Sequence, residues 1–253
     1  MDERSRNLVA YMVGWTGPIF VVTYLIFWIF LGHNYPPPKF VEMTAQQLVD
    51  NYYLKYGMQI KIGMTVSAVI GFLYLVWGCQ LATMMRDPKG EMTWYSYMEL
   101  AGAILTAWVL GACPAAWMAC AQYAGKMHPD IILMMHTHTW FTYDMTYMIT
   151  TVQLTGLGLY TVLNREQKMF PAWAGWGAIA VGIIFIPLSF IPYLPTGPFS
   201  VAGLWNFWIV WPTWGFLFFS VYSYYILKEL KQRLRDSDRS KAKEKEMAYA
   251  AQK

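Results

Sequence analysis

The sequence predicts an all-α, polytopic membrane protein, a six-transmembrane-helix bundle with a small outer-face cap. Two observations support this prediction. The chain of 253 residues is 57% hydrophobic and only 13% charged, which is about half the charged fraction of an ordinary soluble domain. Its apolar residues are also gathered into long runs, each close to the roughly 20 residues that cross the hydrocarbon core of a bilayer.

Six such runs follow one another along the chain. The first has no small-residue cleavage motif after it, so we interpret it as a retained helix rather than a cleaved signal. Together the runs form a membrane domain over residues 1–227, followed by a basic cytoplasmic tail over residues 228–253. The six runs are Leu8 to Gly32, Gly63 to Met84, Trp94 to Ala119, Ile131 to Leu163, Ala172 to Ile191 and Leu204 to Leu227.

The positive charges predict how the helices are oriented. Fifteen of the 19 Lys and Arg residues lie near the two termini or in connections that would share their side of the membrane. Only Lys39, Lys55, Lys61 and Lys126 fall on the other side. The positive-inside rule then places both termini in the cytoplasm. In a bacterial cell the protein would lie in the inner, cytoplasmic membrane.

The connection between the first two spans, about residues 33–62, is predicted to form the outer cap. It begins with a rigid, proline-rich stretch from Tyr35 to Pro38, followed by Thr44, a residue type that caps helix N-termini. From Thr44 onwards the apolar residues are spaced as in an amphipathic helix that runs into the second span.

Small residues predict where helices pack closely. Ala103, Ala107, Gly111, Ala115 and Ala119 recur every four residues along the third span. Such a smooth face allows another helix backbone to approach.

The fourth span carries the strongest functional signal. His136, His138, Tyr143, Asp144 and Tyr147 interrupt a run that is otherwise suited to lipid, and ionisable groups at that depth usually face a bundle interior or a cavity. At 100° per residue, all except His138 can share one inward face, whereas His138 points about 180° away from Tyr147. As one unbroken helix the span would be about 50 Å long. Both histidines are therefore expected in the outer headgroup region or on a protruding turn.

These residues lead to a functional hypothesis. The protein would handle a small hydrophobic molecule, such as a lipid, terpenoid or aromatic, in an outward-opening pocket within the membrane. Asp144 and His136, with Tyr147 beside them, are the candidate catalytic residues for isomerase, hydratase or cyclase chemistry by proton transfer. The candidate substrate-binding residues are Tyr143, Trp140, Asn206, Trp205 and Trp208.

Three alternatives stay open. The chain could be an accessory or anchor subunit of a membrane complex, or a transporter subunit coupled through Asp144. It could also be a copper-dependent membrane oxidoreductase or a copper-handling protein, with His136, His138 and Asp144 as metal ligands, because imidazole and nearby methionine thioethers suit copper. Copper-dependent membrane monooxygenases use similar ligand types. Their spacing, an Asp followed four residues later by His and a second His thirteen residues beyond, is absent here.

Several other classes of function are not supported. The sequence has no P-loop and no dinucleotide-binding, zinc-protease or serine-hydrolase motif, and its three cysteines have neither a disulfide framework nor zinc spacing. The basic tail is expected to lie against anionic lipid rather than to bind nucleic acid. The expected partners are the lipid bilayer, a hydrophobic small molecule, and another membrane protein or a second copy of this chain.

Overall fold

The structure is a computed structural model that describes residues 2–164 and 169–250. Within these residues it contains α-helices joined by short 3-10 and π-helical segments, and no strand, so the all-α prediction is confirmed. The connection at residues 165–168, which contributes two basic residues to the predicted cytoplasmic side, lies outside the described residues. So do the last three residues of the tail.

Four helical stretches of the described residues are long and apolar enough to cross a membrane. This supports a helical membrane protein, but it gives four such helices where the sequence predicts six spans. The fourth predicted span is divided into two shorter helices, and the sixth is the irregular beginning of the last helix. The four stretches are Glu3–Leu31, Ala45–Met84, Trp94–Tyr123 and Ala172–Phe190.

The helices follow the chain in a simple order. The first stretch contains α1 (Glu3–Gly14), α2 (Thr16–Tyr24) and a π-helical segment (Leu25–Leu31). The second contains α3 (Ala45–Leu48), a π-helical segment (Val49–Leu54), α4 (Lys55–Ile70) and α5 (Phe72–Met84). Then come α6 (Trp94–Tyr123), α7 (Pro129–Met145), α8 (Tyr147–Leu163), α9 (Ala172–Ile184) and a 3-10 segment (Ile186–Phe190). Two π-helical segments (Trp205–Val210 and Thr213–Phe218) lead into α10 (Phe219–Ala250).

Helix α6 is the centre of the bundle. In its most apolar stretch 56% of the residues are buried, against 28–39% in the other three long helices, and it packs against α4, α5, α7 and α8. Ala103 and Ala107 are buried as predicted, whereas Ala115 is exposed. A side chain at Gly78 of α5 would collide with Ala103. The closely packed face of α6 therefore includes Ala103, Ala107 and the buried Gly111, and it does not include Ala115.

The predicted cap helix begins where the sequence indicates. The Thr44 hydroxyl accepts a hydrogen bond from the Gln47 amide at 3.2 Å, and the Gln47 side chain accepts one from the Thr44 amide at 2.9 Å. This reciprocal capping box satisfies two otherwise unpaired donors. The helix then continues without a loop into the second membrane-spanning stretch, as predicted.

The prediction of one unbroken helix from Ile131 to Leu163 is wrong. Helix α7 ends at Met145, and Thr146 has a backbone conformation outside the helical region, with φ −83° and ψ 12°. The Thr146 hydroxyl donates a hydrogen bond to the Thr142 carbonyl at 2.8 Å, a local bond that competes with the regular helical pattern. Each half has 17 residues and is about 26 Å long. The segment is therefore not a 50 Å rod.

The two ends of the described chain are held together by a terminal clasp, formed by Asp2 and Arg4 at the start of α1 and Asp238 and Lys241 on α10. Arg4 pairs with Asp238 at 2.5 Å, and Lys241 pairs with Asp2. Helices α1 and α10 also pack along their length. The beginning of α1 and the tail thus lie at the same end of the bundle.

Candidate functional site

The candidate site is a central pocket of about 60 Å³. It lies between α6, the junction of α7 and α8, the 3-10 segment after α9, and the two π-helical segments before α10. Its wall on α6 is formed by Thr106, Val109 and Leu110, which occupy the middle of that 30-residue helix. The pocket therefore lies beside the middle of a helix that is long and apolar enough to cross a bilayer.

Three interruptions of regular helix meet at this pocket. They are the break at Thr146, the 3-10 segment that contributes Leu188, and the π-helical segment that contributes Asn206. Irregular main chain at membrane depth persists only where it is buried in protein or lines a cavity, and π-helical segments are common at functional sites. The irregular backbone segments and the buried polar side chains therefore point to the same candidate site, the central pocket.

Asp144 and Asn206 form the polar centre of the pocket. Asp144 is 3% exposed and Asn206 1%. The Asn206 amide nitrogen donates to one Asp144 carboxylate oxygen at 2.9 Å and to the Val201 carbonyl at 2.9 Å. Both partners are acceptors, which fixes the orientation of the amide. The Asn206 side-chain oxygen is then left buried without a hydrogen-bond partner among the described residues.

Tyrosine hydroxyls surround this centre. The Tyr24 hydroxyl lies 3.4 Å from the Leu110 carbonyl, to which it donates, and 3.1 Å from the Tyr143 hydroxyl. Since a hydroxyl has one hydrogen, Tyr143 donates to Tyr24 and retains its acceptor capacity. The hydroxyl of Tyr147, another lining residue, pairs with Ser189 at 2.5 Å. Both predicted tyrosines therefore line the pocket with fixed hydroxyl groups.

The lining has one carboxyl group and no basic side chain. The described residues around the pocket include Asp144, Tyr143 and Tyr147 as titratable groups, but no Lys, Arg or His. Apolar and aromatic side chains complete the wall. Any positive charge beside Asp144 would have to be supplied by a proton or by a bound molecule.

The structure does not bring His136 into the pocket. His136 is fully buried and lies two helical turns from Asp144 on α7, in an outer histidine cluster with Phe40, Tyr52 and Tyr53. Its Nδ1 pairs with the Tyr53 hydroxyl at 2.6 Å, and its Nε2 has no partner among the described residues. The cap folds over this part of α7 and buries His136, and its expected position at the level of the outer headgroups stays a prediction.

Three tryptophans that were predicted to bind the substrate also lie outside the lining of the central pocket. Trp140 is fully buried in an aromatic cluster, Trp205 donates to the Ile184 carbonyl at 2.9 Å, and Trp208 is 57% exposed. Trp211 and Trp214 line the pocket instead. Trp205 and Trp208 project from other faces of the helix than Asn206. The face of Asn206 continues at intervals of four residues to position 214, a signal that was present in the sequence.

The three proposed metal ligands are not assembled into one site. His138 is exposed, His136 lies in the outer histidine cluster, and Asp144 lies in the central pocket. Among residues 2–164 and 169–250, no group of three or more His, Cys, Asp or Glu side chains could hold a metal ion. The helix periodicity that directs His138 away from Asp144 explains this separation.

A second buried polar chain was not singled out as a site. Glu99 is fully buried on α6 and accepts a hydrogen bond from the Gln153 amide at 2.7 Å. The Gln153 carbonyl oxygen in turn accepts one from the Tyr74 hydroxyl at 2.7 Å. The other Glu99 oxygen has no partner among the described residues. This chain lies towards the N-terminal half of α6 and does not line the central pocket.

Comparison of the chain with family models, characterised proteins and solved structures finds no match.

Proposed function

We propose that this chain is an integral membrane protein that handles a small molecule in the central pocket, with Asp144 as the group that exchanges a proton with it. One observation supports this most strongly: three interruptions of regular helix and a buried carboxyl group meet at one cavity beside the middle of α6. Irregular main chain and ionisable side chains are both costly inside a bilayer, and both are typical of functional sites there.

We infer six passes through the inner, cytoplasmic membrane, with both termini on the cytoplasmic side. Four passes are the long apolar helices; α7 with α8 would form a bent pass, and residues 204–227 the last one. The terminal clasp supports termini that share one side. The excess of basic residues near both ends supports the cytoplasmic side.

The chemistry best suited to the pocket is acid–base catalysis. Asp144 would accept a proton from the substrate or donate one to it, and Tyr147, which also lines the pocket, would supply a hydroxyl group. Tyr143 and Asn206 would orient the substrate through their oxygen atoms. This arrangement suits isomerisation, hydration or cyclisation, and it leaves His136 outside the reaction.

The size of the pocket narrows the substrate. A cavity of about 60 Å³ exceeds the space that one water needs, but it is smaller than the cavity of about 150 Å³ that admits benzene. We therefore expect a compact molecule with few non-hydrogen atoms, rather than a whole lipid or terpenoid.

A transporter subunit coupled through Asp144 is the second candidate, and the helix break at Thr146 favours it. Discontinuous helices beside a binding site at the membrane midplane are typical of secondary transporters. Asp144→Asn separates the two candidates. In an enzyme the substitution should abolish turnover, whereas in a transporter it should uncouple substrate flux from the proton gradient.

The proposal can be tested by ligand-observed NMR on the full-length chain in lipid nanodiscs. The probes are one- to four-carbon alcohols, amides, amines and carbonyl compounds. Val210→Phe fills the pocket wall, and Val69→Phe, at a 68% exposed position on α4, is the matched control. At least one probe should bind the wild type and the control but not the filled variant. If no probe distinguishes Val210→Phe from the wild type, the pocket is not a binding site.

A further inference from the structure

We infer that the central pocket binds a small primary ammonium cation, which displaces a proton from Asp144. This inference rests on the function proposed above, because it names the class of molecule that the same pocket binds. Three properties of the pocket wall support it: its unpaired hydrogen-bonding atoms, its charge and its shape.

The unpaired atoms near Asp144 are mainly acceptors. The Asn206 side-chain oxygen has no donor, and the second Asp144 oxygen accepts no hydrogen bond from the described residues. Tyr143 donates its only hydroxyl hydrogen to Tyr24, so its oxygen can act only as an acceptor towards a ligand. The Trp214 indole N–H in the wall is also buried without a partner among the described residues. The acceptors beside Asp144 are complemented by a group with several N–H donors, such as an ammonium group.

The charge of the wall favours a cation over a neutral donor. The titratable groups that face Asp144 are Tyr143 and Tyr147 in the lining and Cys113 on α6. None of these carries a positive charge. A carboxyl group buried without a counter-charge is held neutral by a proton, because burying an isolated charge is very costly. A bound ammonium group supplies the missing charge and allows the proton to leave.

The shape of the pocket fits a small organic cation. The rings of Tyr143 and Trp211 stack with centroids 5.5 Å apart and planes 11° apart, and both line the pocket. Because the stacking holds the two rings in place, they form a rigid side of the pocket. Val109, Leu188 and Val210 give the wall an apolar part that can contact an alkyl group. The cavity of about 60 Å³ limits that group to about one or two carbons.

The exchange is balanced without any covalent change in the ligand. The neutral Asp144 carboxyl releases its proton to solvent, and the carboxylate that remains pairs with the ammonium group. One cation enters and one proton leaves. Affinity should therefore fall as the pH falls, by up to tenfold per pH unit, wherever the unliganded carboxyl is protonated.

The test is isothermal titration calorimetry of the full-length chain in lipid nanodiscs free of ammonium salts. Methylammonium chloride is titrated in two buffers of different ionisation enthalpy, so that the protons released per cation can be counted. Methanol, which is neutral and has the same number of heavy atoms, is the control ligand. We expect saturable binding of methylammonium, release of up to one proton per cation, and much weaker binding of methanol.

Variants identify the binding group. Asp144→Asn should lower the affinity for methylammonium at least about hundredfold, whereas Asp130→Asn, at an exposed position in the first turn of α7, should leave it unchanged. Asn206→Leu removes the unpaired side-chain oxygen of Asn206 and should lower the affinity about tenfold. It keeps the test decisive if Asp144→Asn fails to fold.

The outcomes separate this inference from the proposed function. If methanol binds as tightly as methylammonium and Val210→Phe abolishes the binding of both, the pocket is a binding site but the inference of a cationic ligand is wrong. Binding of methylammonium that survives both Asp144→Asn and Asn206→Leu places the cation elsewhere and also overturns the inference. Binding without proton release overturns the exchange. If no ligand distinguishes Val210→Phe from the wild type, the proposed function itself fails.

Discussion

The Asn206 amide donates a hydrogen bond to the Asp144 carboxylate at 2.9 Å, and this bond joins the last helical stretch of the chain to α7. It connects two segments that are 62 residues apart. Both side chains are almost fully buried, so the contact should contribute to stability as well as to the chemistry of the pocket.

Asn206→Leu should destabilise the protein by about 1–3 kcal/mol, because it leaves a buried carboxyl group without its donor. The free energy of unfolding can be measured by titration with sodium dodecyl sulfate in mixed micelles. Asn51→Leu, at an exposed position, is the control and should change it little. Equal losses in both variants would mean that the bond contributes nothing specific.

Tyr53→Phe should loosen the cap over α7. The substitution removes the hydroxyl that pairs with His136 Nδ1 at 2.6 Å and leaves both ring nitrogens of a fully buried histidine unpaired. We expect a loss of about 1–3 kcal/mol and faster hydrogen exchange in the cap helix. Tyr97→Phe, at a 59% exposed position, should show neither change. An unaltered exchange rate in Tyr53→Phe would contradict this role.

Gln153→Leu should lower the free energy of unfolding more than Glu99→Gln does. The first change removes the only donor that Glu99 has among the described residues, whereas the second replaces a buried carboxyl by an amide of similar shape. Leaving a buried polar group without its partner costs about 1–3 kcal/mol, whereas replacing that group by a neutral one of the same shape can be nearly neutral. Unfolding titrations of both variants give the comparison, with the exposed Gln122→Leu as control. The reverse order would show that Glu99 depends on another group.

Gly158→Ala should separate α8 from α9. A Cβ atom at Gly158 would lie 2.7 Å from the Gly175 carbonyl oxygen, a main-chain atom that cannot move aside cheaply. Overpacking of this kind costs about 1–3 kcal/mol. Gly177→Ala on α9 is the matched control, since its Cβ atom would meet nothing within 4 Å. Thermal unfolding of the two variants should differ, and similar midpoints would argue against tight packing here.

The terminal clasp should open in acid. Hydrogen bonds from Lys241 and Ser5 hold the pKa of Asp2 well below its ordinary value of 3.8. Because the pKa is lowered in the folded state, the contribution of Asp2 is fully present above pH 3.8 and is lost as the pH falls through the lowered pKa. The distance between spin labels at positions 3 and 242 should stay constant down to pH 3.8 and increase as the pH falls through the lowered pKa of Asp2. Asp2→Asn should remove most of this pH dependence, and an unchanged profile would show that other groups control the clasp.

Much of the candidate site could be predicted from the sequence. Tyr143, Asp144, Tyr147 and Asn206 stand out because polar groups are costly at membrane depth, and helix periodicity correctly set His138 apart from the others. All four line one pocket. Whether they act on a substrate stays a prediction that the proposed experiments address.

The break at Thr146 could not have been predicted in the same way. No glycine or proline lies beside it, and Thr139 makes the same hydroxyl bond to the carbonyl four residues earlier inside an intact helix. The local signal is therefore ambiguous, and tertiary packing decides between the two outcomes. The burial of His136 depends likewise on Phe40 and Tyr53, which are more than 80 residues away along the chain.

The terminal clasp also carries a consequence for biosynthesis. Arg4 is synthesised 234 residues before Asp238, and Asp2 is synthesised 239 residues before Lys241. Helix α1 therefore meets α10 only after every intervening helix has been made, and only 28% of the most apolar part of its stretch is buried even in the folded bundle. The clasp is thus a late contact, and its closure reports that the first and last described helices have come together.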